Sequence, residues 1–147
     1  DGFAMLLNLK RLNHLYKFEY FDENIFMYLE NDDLCKRIKK INENIYVVPK
    51  SKINHLGGKA VDVKFEHEIE MSRNWHWIWS KFYFNKKHYG YLNAFKNGLP
   101  SFLSAVIKFL FFFFVNKKKS DLYLQRILGF LNALVGRTSY YRPKINN

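Results

Sequence analysis

Four consecutive residues place three carboxylates and one amide at the boundary between two sequence patterns. Glu30, Asn31, Asp32 and Asp33 follow the apolar residues 25–29 and precede a basic helical pattern. A carboxylate held by packed neighbours at such a boundary can take a proton from a substrate hydroxyl group. Acidic and amide side chains also cap the first turn of a helix, where they complement the helix dipole. The residue types alone allow both general-base chemistry and helix capping.

The elements that would position these residues follow from periodicity. Leu34 and Ile38 lie four residues apart and predict a helix over residues 33–41. Residues 3–9 are predicted as a strand, and one or two helical turns follow over residues 9–16. The β-branched and aromatic residues 45–48 predict another short strand.

The second half of the chain predicts three apolar or amphipathic elements. Residues 72–89 contain neither glycine nor proline and predict a long helix that ends at Gly90. Residues 99–115 form an apolar run that includes Lys108. Residues 120–135 carry one apolar stripe and predict a final helix that stops at the glycine following it.

The whole net charge of +11 lies in residues 81–147, which hold twelve Lys and Arg but only one acid, Asp121. A tail that is both basic and strongly apolar favours an anionic membrane surface over nucleic acid as its partner. The single cysteine, Cys35, excludes an internal disulfide and fits a reducing compartment.

The tail could span a bilayer, lie on its surface or pack as an ordinary helical unit. The apolar run has 17 residues, whereas a spanning helix needs about 20. Lys108 also lies inside the run. We therefore predict attachment at the surface, with the Lys108 ammonium group reaching toward water.

The acidic segment belongs to a longer pattern that resembles the acceptor-side motif of family-two glycosyltransferases. The matching positions are Phe21-Asp22-Glu23, Phe26, Tyr28, Glu30, Asp33-Leu34-Cys35 and Arg37. Later segments are similar to those of the rhamnosyltransferase-like branch of that family. These segments are residues 45–49, the His55-x-Gly57-Gly58 loop, Arg73-Asn74 and Tyr141-Arg142-Pro143.

The resemblance implies an α/β fold, namely the C-terminal half of a Rossmann-like GT-A nucleotide-sugar transferase, followed by a helical, membrane-attaching tail. Residues 1–90 would be the acceptor-side part of the catalytic domain, and residues 91–147 a basic amphipathic tail. The chain is expected to be a fragment that lacks the nucleotide-binding half. A divalent metal, Mg²⁺ or Mn²⁺, is expected for the full-length enzyme, with its ligands mainly in that half. No Asp-x-Asp occurs here, and no metal ligand is assigned.

The implied chemistry is inverting glycosyl transfer, in which a carboxylate takes the proton of the attacking acceptor hydroxyl group. The family's usual base is the second residue of a Glu-Asp pair, and Asn31 stands at that position. An amide cannot accept a proton at neutral pH. Glu30, Asp33 and Asp32 are therefore the candidate catalytic residues, and Glu30 and Asp33 are favoured.

The resemblance also implies a set of substrate-binding residues, which are Asn31, Arg37, His55, Gly57, Gly58 and Arg73. Three of these have equally simple alternatives. Arg37 lies one helical turn beyond Asp33 and could form a plain salt bridge with it. His55 could be a histidine that the backbone satisfies, and Arg73 could be solvated.

The sequence thus predicts a glycosyltransferase that acts in surface polysaccharide synthesis. It would move a sugar from a nucleotide-sugar to a saccharide or lipid-linked acceptor at the cytoplasmic face of the inner or plasma membrane. No nucleic acid is expected as a partner. The alternative is a non-catalytic, basic peripheral membrane-binding module whose acidic residues only cap a helix.

Overall fold

The computed structural model describes residues 4–15, 19–55 and 62–144, and these ranges are helical wherever they are regular. The five α-helices are α1 (Leu9–Leu15), α2 (Glu30–Lys40), α3 (Glu66–Tyr89), α4 (Tyr91–Val115) and α5 (Lys117–Leu134). A 3₁₀ turn, Val63–Phe65, leads into α3. These ranges contain no β-strand. The predicted α/β, Rossmann-like GT-A sheet is therefore wrong for the described part of the chain.

The two predicted strands fail for a physical reason. Residues 45–48 form no regular secondary structure and are exposed, and Val47 retains 86% of its accessible surface. Residues 4–8 of the first predicted strand are irregular. High β-propensity describes how well a residue fits a packed, paired surface, and an extended segment without a neighbouring strand does not become a sheet.

Helices α3, α4 and α5 form a three-helix bundle around an aromatic core. The core contains Trp75, Ile78, Trp79, Phe82, Ala94, Phe130 and Ala133. α4 runs antiparallel to α5, since Phe102 stacks on Phe130 and Phe112 stacks on Tyr123. The predicted domain boundary at residue 90 lies between two helices that share this core.

Glycine permits the closest approach within the bundle. A Cβ atom on Gly129 would lie 2.5 Å from the backbone oxygen of Trp75. α5 therefore packs directly on the backbone of α3, which a larger residue would prevent.

The predicted helices exist, but most begin earlier than predicted. α2 begins at Glu30 and α3 at Glu66, ahead of the predicted residues 33 and 72. α5 begins at Lys117 because the Asn116 side chain accepts a hydrogen bond from the Lys119 amide at 3.0 Å. The predicted stop at Gly90 is confirmed, and its φ of 88° separates α3 from α4.

A smaller unit of α1 and α2 packs beside the bundle. Leu12, Leu34 and Ile38 form its core. The predicted helical turns over residues 9–16 correspond to α1, apart from residue 16, which lies outside the described ranges. This unit brings the acidic segment alongside α3.

Candidate functional site

The segment that precedes α2 lies along α3 in the opposite direction. Tyr83 donates a hydrogen bond to Asp22 Oδ2 at 2.9 Å, and Ser80 Oγ donates to the Met27 carbonyl at 2.7 Å. Further along, the Tyr28 ring meets Trp77 edge-on. α3 therefore serves as the scaffold that fixes the start of α2.

Two residues with a left-handed backbone conformation lead into α2. Tyr28 has φ 69° and Leu29 has φ 67°, and neither is a glycine. Such conformations cost on the order of 1 kcal/mol or more each, and they cluster at functional sites. Leu29 is the N-cap residue of α2, and no side chain provides a capping hydrogen bond. The acidic residues therefore do not cap this helix, although they still lie in its first turn.

Glu30 carries a buried carboxylate oxygen with an unusual environment. Its Oε1 accepts a hydrogen bond from Asn31 Nδ2 at 3.3 Å. Its Oε2 is buried and has no hydrogen-bond partner among the described residues. Burying a polar atom without a partner is costly, so Oε2 is suited to accept a hydrogen bond from an incoming hydroxyl group.

Aromatic and charged side chains meet around Tyr28, two residues before Glu30: its ring contacts Trp77, and the charges of Glu30, Glu70 and Arg73 act on it. The residues Tyr28, Glu30, Glu70, Arg73 and Trp77 are named here the Trp77 patch. Arg73 Nη1 donates to Glu70 Oε1 at 2.6 Å, and this bond raises the pKa of Arg73. Burial raises the pKa of Tyr28, and the charges of Glu70 and Glu30 add to the effect while Arg73 opposes it. Trp77 stays 44% exposed, so the patch offers an aromatic surface beside charged groups.

Asp33 is itself fully buried and lies in a second group, named here the Asp33 cluster, with Arg37, Lys87 and His88. Its carboxylate accepts from Arg37 Nε at 2.7 Å and His88 Nε2 at 2.7 Å, and it pairs with Lys87 Nζ at 2.8 Å. Burial alone would raise the pKa of Asp33, but these three hydrogen bonds outweigh it and lower the pKa. The cluster therefore joins α2 to α3 through the Asp33 carboxylate.

His88 completes the Asp33 cluster as a neutral side chain. The Lys40 ammonium group lies 3.4 Å from Nδ1 of His88, so that nitrogen acts as the acceptor and Nε2 carries the proton. Burial lowers the pKa of His88, and the neighbouring Asp33 only partly opposes this shift.

Lys87 extends the cluster to Asp22, whose Oδ2 it reaches at 2.7 Å. Burial would raise the pKa of Asp22, but hydrogen bonds from Lys87, Asn24 and Tyr83 lower it to about 2. The pKa of Tyr83 rises to about 12, first because it is buried and second because it donates to Asp22. The first acid of the motif thus also holds the segment on α3.

The predicted site residues fall into separate surroundings. Glu30 and Arg73 belong to the Trp77 patch, and Asn31 lies beside Glu30. Asp33 and Arg37 belong to the Asp33 cluster. The salt bridge expected between Arg37 and Asp33 is present, and Arg37 also donates to the backbone carbonyls of two residues that precede α2, Glu19 and Tyr20.

The remaining predicted site residues lie elsewhere. Asp32 is exposed on α2, and His55 lies in the exposed irregular segment that follows α2. Gly57 and Gly58 lie outside the described residues.

Three residues of the Trp77 patch, Tyr28, Glu70 and Trp77, are absent from the predicted site, although Tyr28 belongs to the motif. Glu70 and Trp77 lie seven residues apart, and Arg73 falls between them, so all three share one side of a helix. That spacing is visible in the sequence. Their meeting with Tyr28 and Glu30 depends on how residues 22–29 pack on α3, which no local pattern reveals.

The described ranges contain no group of three or more His, Cys, Asp or Glu side chains that could hold a metal ion. The divalent metal that the resemblance implies, with ligands mainly outside this chain, stays a prediction. A scan against protein-family models, a search of curated proteins and a search of solved structures gave no match to this chain.

Proposed function

We propose that this chain supplies the acceptor side of an inverting glycosyltransferase and that Glu30 is its general base. The observation that carries the proposal is the buried Glu30 Oε2, which lacks a partner among the described residues and lies beside an exposed aromatic surface. The resemblance of residues 21–37 to an acceptor-side motif supports the same assignment.

The Trp77 patch has the chemical character of a saccharide site. Exposed aromatic rings such as Trp77 give the apolar side of a sugar ring a surface to pack on. The paired Glu70 and Arg73 can hydrogen-bond hydroxyl groups, and charge-assisted bonds of this kind are comparatively strong. A saccharide or lipid-linked acceptor bound here would present a hydroxyl group to Glu30.

Glu30 is preferred to the other carboxylates on physical grounds. Asp33 is buried, its carboxylate accepts from three basic side chains, and its lowered pKa makes it a weak base. Asp32 is exposed and lies in no described cluster. Asn31 cannot accept a proton, but it donates to Glu30 Oε1 and thereby orients the carboxylate.

The proposed step is a direct displacement at the anomeric carbon of the donor. The acceptor oxygen forms a bond to the anomeric carbon of the donor while the bond from that carbon to the diphosphate breaks. The hydroxyl proton passes to Glu30 Oε2, and the nucleoside diphosphate leaves. The nucleotide-sugar and the divalent metal would be held outside the described residues.

The setting proposed for this reaction is surface polysaccharide synthesis at the cytoplasmic face of the inner or plasma membrane, with the protein attached peripherally. A lipid-linked acceptor would lie in the plane of that membrane. The basic, apolar second half of the chain supports such a location.

Glu30→Gln tests the proposal in the protein produced from the complete coding sequence, including any residues encoded before Asp1. Loss of a general base typically lowers turnover by about 10²–10⁴-fold, so nucleoside diphosphate release should fall by about that factor. The matched control, Asp32→Asn, changes a neighbouring exposed acid and should keep wild-type turnover. Wild-type turnover in Glu30→Gln, with circular dichroism unchanged, would refute the base assignment.

A second candidate function is a non-catalytic peripheral membrane-binding module, which the exposed apolar side of α4 favours. It predicts that no nucleotide-sugar yields nucleoside diphosphate in the presence of membrane lipids. Release of nucleoside diphosphate above the rate of a Glu30→Gln control would exclude it.

A further inference from the structure

One side of α4 presents a continuous apolar surface to solvent. Its residues lie three or four positions apart, or adjacent on the same side of the helix, so their side chains form one stripe. We name this stripe the α4 face. It consists of Leu103 (50% exposed), Ile107 (68%), Leu110 (58%), Phe111 (62%) and Phe114 (86%).

The opposite side of α4 is fixed in the bundle. Ala94, Gly98 and Ala105 are buried there. A Cβ atom on Gly98 would lie 2.6 Å from the ring of Phe130, and Phe112 stacks on Tyr123. Because this packing sets the rotation of α4, the α4 face points away from the protein.

The composition of α4 is unusual for a helix at the surface of a bundle. Its most apolar window has a mean hydropathy of 2.0, and only 11% of that window is buried inside the protein. The core helix of a soluble domain is mostly buried, and large contiguous apolar patches mark interaction sites. The α4 face is therefore expected to be an interaction surface that a binding partner covers.

Lysine side chains flank α4 on the side of α5 and occupy the turn between the two helices. The ammonium groups of Lys108 and Lys119 lie 5.5 Å and 5.2 Å from the ring centroids of Tyr123 and Phe112. Lys118 is exposed beside them. The acid of this turn, Asp121, is paired with Lys117 at 2.8 Å. The turn thus carries a net positive charge next to an apolar surface.

We propose that the α4 face docks into the surface of an anionic bilayer, with α4 lying in the interface and Lys108, Lys118 and Lys119 on the lipid headgroups. Apolar burial and lysine–headgroup attraction act together in this arrangement. A second copy of the chain is a poorer occupant, since it would bring the same lysines close to one another. A spanning helix would have to leave the packing at Gly98 and Ala105.

This surface deepens the proposed function by naming the partner that holds the enzyme near a lipid-linked acceptor, and its physical basis is separate from Glu30. Glu30→Gln should therefore bind vesicles like the wild type. Loss of catalysis with binding intact would concern the base alone, and loss of binding with catalysis intact would concern the α4 face alone.

Vesicle flotation of the full chain tests the proposal. Wild-type protein should float with vesicles that contain phosphatidylglycerol, should stay behind with pure phosphatidylcholine, and should bind at least about fivefold more weakly when salt rises from 0.1 to 0.5 M. Ile107→Glu/Phe114→Glu should weaken partitioning by at least about tenfold. The matched control Val47→Glu changes an equally exposed apolar residue outside α4 and should bind normally.

Reversing the charge of two lysines tests the proposal independently. Lys118→Glu/Lys119→Glu should reduce binding to the anionic vesicles by about tenfold or more while circular dichroism stays unchanged. Equal binding of this variant and the wild type would overturn the proposal. So would resistance of the bound protein to alkaline carbonate extraction, which indicates spanning, or a stable dimer in light scattering that Ile107→Glu/Phe114→Glu abolishes.

Discussion

Glu30 and Asp33 lie three residues apart at the start of α2, yet their carboxylates have opposite surroundings. Asp33 is fully buried and bonded to three basic side chains of the Asp33 cluster. Glu30 has a buried oxygen for which the described residues supply no hydrogen-bond donor. One acid thus joins two helices while its neighbour remains available to a ligand. Residue type and spacing cannot separate these two roles, whereas the hydrogen-bond partners do.

The largest expected effect is that of Asp33→Asn on stability. The substitution removes the buried charged acceptor of Arg37, Lys87 and His88, although Lys87 keeps its pair with Asp22. We expect a cost of about 3 kcal/mol in the free energy of unfolding. The measurement is urea denaturation followed by circular dichroism. Glu30→Gln is the matched control and should change the free energy of unfolding by less than about 0.5 kcal/mol, because no described ion pair depends on Glu30. Equal destabilisation by the two variants would erase the contrast between them.

Acidification should weaken the protein through the same Asp33 cluster. The folded pKa values of His88, Asp33 and Asp22 all lie below their ordinary values. The unfolded chain therefore takes up protons at a higher pH than the folded chain does. The contribution of these groups to the free energy of unfolding is complete above their ordinary pKa values and is lost as pH falls. The loss should begin below pH 6.5, the ordinary value for His88, and steepen below pH 3.8, the ordinary value for the two aspartates.

Melting temperatures recorded between pH 8 and pH 3 measure this dependence. In Asp33→Asn the melting temperature should fall less steeply at low pH, since the variant has no carboxylate to protonate at that position. An equally steep fall in the variant would assign the acid sensitivity to groups other than Asp33.

The smallest expected effect concerns the Trp77 patch. Trp77→Ala should raise the KM for the acceptor by about tenfold, corresponding to roughly 1.4 kcal/mol of lost aromatic contact, with kcat changed little. Tyr46→Ala removes an aromatic side chain that is 79% exposed outside the patch and should leave KM unchanged. An unchanged KM in Trp77→Ala would show that acceptor does not bind on this surface.

Helical spacing predicted most of the regular structure, because the helices bury stripes that recur every three or four residues. The apolar residues of α2 and the stop at Gly90 are examples. The predicted sheet was wrong because residues 45–48 have the composition of a strand, but the described residues offer no strand to pair with them. Propensity is local, whereas a sheet requires a partner from elsewhere in the chain.

The candidate site was only partly accessible from the sequence. The acidic residues were identified, and the salt bridge from Arg37 to Asp33 follows from their spacing of four. The side chains that distinguish Glu30 from Asp33 come from α3, more than 35 positions further along. Trp77 and His88 reach these acids only through tertiary packing, which no local pattern encodes.

The most direct test compares Glu30→Gln and Asp33→Asn in one assay. Nucleoside diphosphate release is measured at low temperature and divided by the folded fraction, which circular dichroism gives for each variant. Glu30→Gln is expected to be fully folded but about 10²–10⁴-fold slower, whereas Asp33→Asn is expected to be unstable but close to wild type per folded molecule. Near-normal turnover in Glu30→Gln together with an inactive folded Asp33→Asn would contradict the account.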